Sequence, residues 1–257
     1  MEDKNIPTLL RENPVDSHLL KLVSALSEQA HFSKKKVTNE LSPFILINFL
    51  EKLDPVKMYF TRSDIRYFQR YRFKIDDALK QGDLEPIYDI FRIYRLRVQQ
   101  RLSFCITFLL SQEHNFESDN SYDLNYQTKN WLENIEELEN LWQKKTHNDL
   151  LTLILAGQSN EIAMEILENR YKRFVKKVNL FNEEDVISIF LNAFAHTLDP
   201  HSNYLNPSQS EEYEIQMSLS YQGIGARLNL VDEQVHVCLL YTSPSPRDAT
   251  LSRMPST

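Results

Sequence analysis

Residues Phe190–Leu230 read FLNAFAHTLDPHSNYLNPSQSEEYEIQMSLSYQGIGARLNL, and the sequence changes character twice within them. Up to Leu198 the apolar positions Val186, Ile187, Phe190, Leu191, Phe194 and Leu198 recur at three- and four-residue steps, the spacing of one buried helical stripe. Asn182 is placed to cap that helix, and Glu183, Glu184 and Asp185 suit the positive end of its dipole. After Leu198 the segment DPHSNYLNPSQ concentrates proline, asparagine and hydroxyl side chains, which marks a turn or linker. Beyond it Glu214–Tyr221 alternates apolar and polar residues. Ala226–Leu230 does the same, and so does Gln234–Val237 after the turn-like Val231-Asp232-Glu233. The expectation is a helical domain that gives way to a β-containing one.

The sequence upstream agrees. Its first roughly 200 residues hold two glycines, Gly82 and Gly157, each following a strongly helical segment where a left-handed C-terminal cap would fall. Between Ile87 and Leu109 the residues Ile87, Ile90, Phe91, Tyr94, Val98, Leu102, Cys105 and Leu109 form one stripe, so Cys105 reads as core rather than as a reactive thiol. Further helices are expected over Ser17–Ala30, Pro43–Leu53, Arg62–Lys80, Leu132–Ala156, Glu161–Val178 and Glu183–Leu198. The polar, aromatic stretch His114–Thr128 reads as a long surface connection.

Composition narrows the function classes. The 257 residues are 42% hydrophobic and 25% charged, ordinary for a globular chain with a core. A formal net charge of −7 argues against a nucleic-acid partner, which needs a concentrated basic surface. The single basic run, Lys34–Lys36, reads as a solvated helix end or loop. Cys105 and Cys238 lie far apart and follow no metal-ligand spacing, so no zinc site, disulfide framework or other cofactor is suggested. No apolar run reaches the roughly 18 residues of a membrane span, and MEDKNIPTLLRENP lacks the basic-then-apolar pattern of a signal peptide.

Three constellations could carry chemistry. Asp199, His201 and Ser202 contain the residue types of a catalytic triad, but adjacent positions in a turn do not let each member bond the next in order. A helix stop and rigid hinge is the better reading, with Asp199 restricted by Pro200 and with Tyr204 and Leu205 packing back on the helices. Glu211, Glu212 and Glu214 read as a solvated approach to a strand, since nothing in the sequence would tune one of them as an acid or base. Gly223-Ile224-Gly225-Ala226 is different. Two glycines around one apolar residue, just before an alternating strand, allow backbone N–H groups to turn inward and cradle a terminal carboxylate. The strand that follows could pair with a peptide ligand as an added strand. On spacing alone a plain hairpin turn would explain the same residues.

Taken with its neighbours, the loop gains meaning. The DPHSNYL, MSLS and GIGA segments resemble, in order, the junction between the helical and PDZ domains of the tail-specific (C-terminal processing) proteases. LEKLDPVKMYFTRSDIRYFQ from Leu50, DDALKQGDLEPIYDIFRIYRLRVQQRL from Asp76 and LENLWQKKTHNDLLTLILAG from Leu138 resemble that family's amino-terminal helical region. The resemblance spans about Ser17–Val237. It implies a mainly α fold, with a multi-helix amino-terminal domain over 1–198, a linker over 199–212 and the first strands of a truncated PDZ domain over 213–240. It further implies a periplasmic protease of a Gram-negative bacterium that binds the C-terminal tails of its substrates and cleaves with a serine activated by a lysine. In the family both of those residues lie downstream of the PDZ domain, so no catalytic residue is assigned here, and the fragment is expected to be inactive. By carry-over Gly223, Ile224, Gly225 and Ala226 would bind the carboxylate, with Arg227 and Leu228 opening the strand beside the peptide. An accessory lipoprotein adaptor is a further partner compatible with the resemblance.

The last residues, Tyr241–Thr257, abandon the strand pattern for a polar, proline-bearing stretch and are expected to be a non-native tail. Native sequence is expected to end near Val237 or Leu240; an end at Val237 would make Cys238 foreign and leave Cys105 as the only native cysteine. The rival functional class is a non-catalytic helical adaptor ending in a peptide-binding module.

Overall fold

The computed structural model describes residues 9–111, 114, 116, 122, 123, 130–218, 226–231 and 234–240. Its elements are α1 (Pro14–Ala30), α2 (Ser42–Leu53), α3 (Arg62–Phe68), α4 (Ile75–Gln81), α5 (Glu85–Ser111), α6 (Ile135–Leu155), α7 (Asn160–Leu180), α8 (Glu183–Leu198) and α9 (Pro207–Ser218), then β1 (Ala226–Val231) and β2 (Gln234–Leu240). The contacts divide the chain into two units with the boundary between Tyr204 and Leu205.

The first unit is helical because its polar residues start helices while its apolar stripes converge. Asn13, Ser159 and Asn182 each accept an N–H of the following first turn, which satisfies donors that have no partner inside the helix. Helix α8 begins where the sequence places it, with Asn182 and Asp185 bonding each other's backbone N–H. Gly82 (φ 70°) and Gly157 (φ 93°) occupy the left-handed conformation after α4 and α6, as expected. Around α6 the bonds Gly157 N–H to Ile154 O and Gln158 N–H to Leu153 O form a Schellman motif. Helix α5 lies against α6, α7 and α8, α2 packs on α8, and α1 packs on α4. One continuous core results, in which Leu20, Phe49, Phe91, Phe190 and Cys105 have no exposed surface. Burial pushes the Cys105 thiol up to about 12, so the core reading of that cysteine holds.

Two expectations need correction. Arg62–Lys80 is not one helix: α3 ends in a 3-10 turn, Gln69–Tyr71, and α4 starts afresh at Ile75. Across the fold, the Ser42 hydroxyl of α2 accepts from Ile75 N (3.0 Å) and Asp76 N (3.4 Å). That hydroxyl caps α4 from 33 residues away, a long-range contact that no local pattern announces. The second correction concerns Glu214–Tyr221, expected as an alternating strand. Glu214–Ser218 instead closes α9, which also extends back into the expected linker. Asn206 Oδ1 accepts from Gln209 N (2.8 Å), Gln209 Oε1 accepts from Asn206 N (3.2 Å), and Pro207 sits at the first helical position. A helix start of this quality outweighs a short alternation. Leu219, Ser220 and Tyr221 lie outside the described residues, as does most of His114–Thr128.

In the second unit α9 has no buried residue, and Tyr213 and Met217 are exposed on it. Strands β1 and β2 pair antiparallel, from Val231 opposite Gln234 to Ala226 opposite Leu240. Arg227 pairs with Leu239 but Leu228 with Val237, so the extra residue of a β-bulge falls on β2.

Candidate functional site

The expected ligand strand is β1. Ala226, Arg227 and Leu228, the last three residues of the sequence-derived site, open this strand. Gly223, Ile224 and Gly225, the carboxylate-binding half of that site, lie outside the described residues. Since β1 bonds β2 along one edge and no other described strand flanks it, its second edge offers backbone N–H and C=O groups, the requirement for adding a peptide as a strand.

Within the helical unit, the turn that ends α8 is held by an unusual number of polar contacts. Asp199 N–H bonds Ala195 O as the C-cap, and the Asp199 carboxylate accepts from His201 N at 2.8 Å. From the α1–α2 connection, Lys35 Nζ donates to Leu198 O (3.0 Å) and Thr197 O (3.3 Å). A cation thus meets the carbonyls at the negative end of the α8 dipole. Lys35 belongs to the basic run read as a solvated helix end or loop. It lies in a loop and remains exposed, yet it serves the end of a distant helix. Asn48 Nδ2 of α2 donates to Thr197 Oγ1 at 2.9 Å. Asn192 fixes the exit of the turn twice, donating from Nδ2 to Tyr204 O and accepting from Tyr204 N at Oδ1, both at 3.0 Å. Tyr204 therefore returns to the helices as expected, whereas Leu205 is 41% exposed.

Asp199, His201 and Ser202 do not assemble into a triad. The Asp199 carboxylate holds a backbone amide, and the histidine beside Ser202 is a different one: Ser202 Oγ lies 2.9 Å from His31 Nε2. The other His31 nitrogen faces Ser33 Oγ at 2.8 Å rather than a carboxylate. No carboxylate orients that imidazole to accept a serine proton, so the arrangement fastens the α1–α2 connection to the turn. Glu211, Glu212 and Glu214 lie exposed on α9, as solvated groups would.

Sequence reasoning located the turn but missed the residues that lock it. His31, Lys35 and Asn48 come from elements more than a hundred residues away and carry no local signal. Asn192 did carry one, a polar residue between the buried Leu191 and Ala193 of an apolar helix.

A second buried polar centre fixes α2 to α3. Asp54, fully buried, accepts from Met58 N (2.8 Å), Phe60 N (3.0 Å), Tyr59 N (3.1 Å) and Trp131 Nε1 (3.0 Å). The neighbouring Asp64 receives Arg97 through Nε and Nη2, at 2.7 Å for the shortest contact. Burial alone would raise the Asp64 pKa, but the Arg97 and Thr61 bonds outweigh it and hold the carboxyl below its ordinary value.

Comparison with known proteins agrees with this architecture. Residues 22–208 match the family model described as the tail-specific protease N-terminal domain. A tail-specific protease of Haemophilus influenzae is 26% identical over 251 residues, an alignment that takes in 97% of this chain and 36% of that relative. The chain therefore spans little more than a third of the length of that curated relative.

Proposed function

Because this chain belongs to the tail-specific protease N-terminal domain family, we propose that it is the amino-terminal part of a serine endopeptidase that selects proteins by their C-terminal tails. The observation that carries this reading is the order of parts: a helical domain matching the family through residue 208, then an antiparallel pair in which, among the described residues, β1 is bonded along one edge. In this reading β1 and β2 open a PDZ domain. Backbone amides of Gly223–Ala226 receive the tail carboxylate, and Arg227 and Leu228 lie beside the incoming peptide. The locked turn at Asp199–Tyr204 closes the helical domain, and the recognition module follows it in sequence. The nucleophilic serine and its activating lysine belong to sequence outside this chain, and the protein acts in the periplasm, where an accessory lipoprotein adaptor could present substrates. No described helix is long and apolar enough to cross a membrane.

The test is a proteolysis assay on a reporter protein with an apolar C-terminal tail. The product of the complete gene should degrade it and lose activity on serine-directed inhibition, while the 257-residue chain alone should leave it intact. Cleavage by the chain alone, or a complete gene product indifferent to the tail, would contradict the proposal.

A further inference from the structure

An open cleft of about 530 Å³ lies between the start of α3, the middle of α5 and the start of α6, lined among others by Thr61, Ser63, Arg97, Arg101, Glu133 and Glu136. Its distinctive feature is Arg101. The residue is 2% exposed, and its Nε and Nη2 are sealed from solvent with no hydrogen-bond partner. A guanidinium stays protonated in a protein, so a buried and unpartnered one is an uncompensated charge and needs a counter-ion. Burial pushes its proton affinity down, and Arg97 one turn away adds to the effect.

The other charges around the cleft are committed. Arg97 is bound to Asp64 and to Gln100, and Glu133 is shared between Arg62 and Arg66. Glu136 stands exposed at the rim, where solvent and salt screen it, and Glu139 and the Arg97-bound Asp64 act on Arg101 only through their fields. Independently, α6 begins at this cleft without a side-chain cap: Asn134 makes no bond to the first-turn amides, and its Nδ2 is turned to Glu137 Oε1 at 3.4 Å. The positive end of a 21-residue helix therefore opens on the same space as the unpaired guanidinium.

We propose that this cleft is a binding site for a single carboxylate group, held by the Arg101 guanidinium and the first-turn amides of α6. One negative charge balances the one lining cation left unpaired among the described residues, and a carboxylate can meet it through Nη1, the guanidinium nitrogen that is not sealed. A phosphate dianion would meet Glu133 and Glu136 with an unbalanced charge. The site belongs to the helical domain and does not depend on the tail-binding reading of Gly223–Leu228.

The experiment is thermal unfolding of the chain in sodium acetate against sodium chloride at equal ionic strength, with inorganic phosphate and N-acetylglutamate amide as further probes. Acetate at about ten times its half-saturating concentration should raise Tm by about 3–6 °C over chloride. Arg101→Met should abolish that increment while keeping the packed volume. A response to the glutamate derivative but not to acetate would still support the site and would assign the carboxylate to a peptide side chain. Equal Tm in acetate, the glutamate derivative and chloride, a phosphate effect matching acetate, or an undiminished response in Arg101→Met would overturn it. Should Arg101→Met fail to fold, the Arg101 Nε–H resonance of the wild-type chain provides the second readout. It must shift on adding acetate or the glutamate derivative, and a resonance unmoved by both counts against the site.

Discussion

The helical unit and the α9–hairpin unit are built on opposite economies. In the first, every helix contributes to one core, and distant side chains close its exposed ends: Ser42 caps α4, Lys35 caps α8, and Asp54 gathers four donors. In the second, α9 buries nothing, and its helical state rests on Asn206, Pro207 and Gln209. Among the described residues β1 pairs with β2 alone, and an isolated antiparallel pair is marginal in water. The difference teaches that the packed core belongs to the helical unit. The helical unit is over-determined, while the described part of the second unit has little burial to hold it.

The sharpest way to break this contrast is to attack the helical unit at Asp54. Asp54→Ala strands three backbone amides and the Trp131 indole in a buried site and should cost about 3–5 kcal/mol in denaturant unfolding. A loss under about 1 kcal/mol would mean that the hub is ornamental. The glycines come next. A Cβ at Gly82 would lie 2.3 Å from Ser17 O and Oγ in a left-handed backbone, whereas one at Gly157 meets open space. Gly82→Ala should therefore cost about 2–4 kcal/mol and Gly157→Ala about 1 kcal/mol, the latter from positive φ alone. Equal costs would show that α1 does not pack against the end of α4 as described.

A smaller effect is expected from acid. Asp64 has a folded-state pKa below its unfolded value, so its contribution is complete above roughly pH 4–5 and is lost as pH falls through the folded pKa. Asp64→Asn should remove about 1–2 kcal/mol at pH 7 and flatten the acid limb of the stability profile below about pH 4. A mutant profile parallel to wild type would assign that limb to other carboxyls. The smallest effect belongs to the second unit: Tyr213→Ala or Met217→Ala, on an exposed helix, should change unfolding free energy by less than about 0.5 kcal/mol.

Much of this was legible in the sequence, and the reasons differ by element. Helix α8 was readable to the residue because its cap, its acidic first turn and its stripe all agree. The stops at Gly82 and Gly157 were readable because only glycine adopts those dihedrals without strain. The break between α3 and α4 was not, since the decisive hydroxyl comes from Ser42. Helix α9 is masked in the sequence because eight residues of alternation overlap a capping pair three residues apart, Asn206 and Gln209, that starts a helix. Of the site, sequence supplied the strand that opens at Ala226 and the turn at Asp199. It could not supply His31, Lys35 or Asn48, whose role exists only once the helices have packed. Arg101 was passed over because a charged residue on a long helix ordinarily reads as solvated.

The proposal that this chain belongs to a protease selecting protein tails is tested most directly by peptide binding to the complete gene product. A peptide with an apolar C-terminus would be titrated as its free acid and as its amide. We expect the free acid to bind at least about tenfold more tightly, an effect of the size of one charge-assisted hydrogen-bonding group. Replacement of Gly225 by valine should erase the difference. Equal affinity for acid and amide would contradict the account.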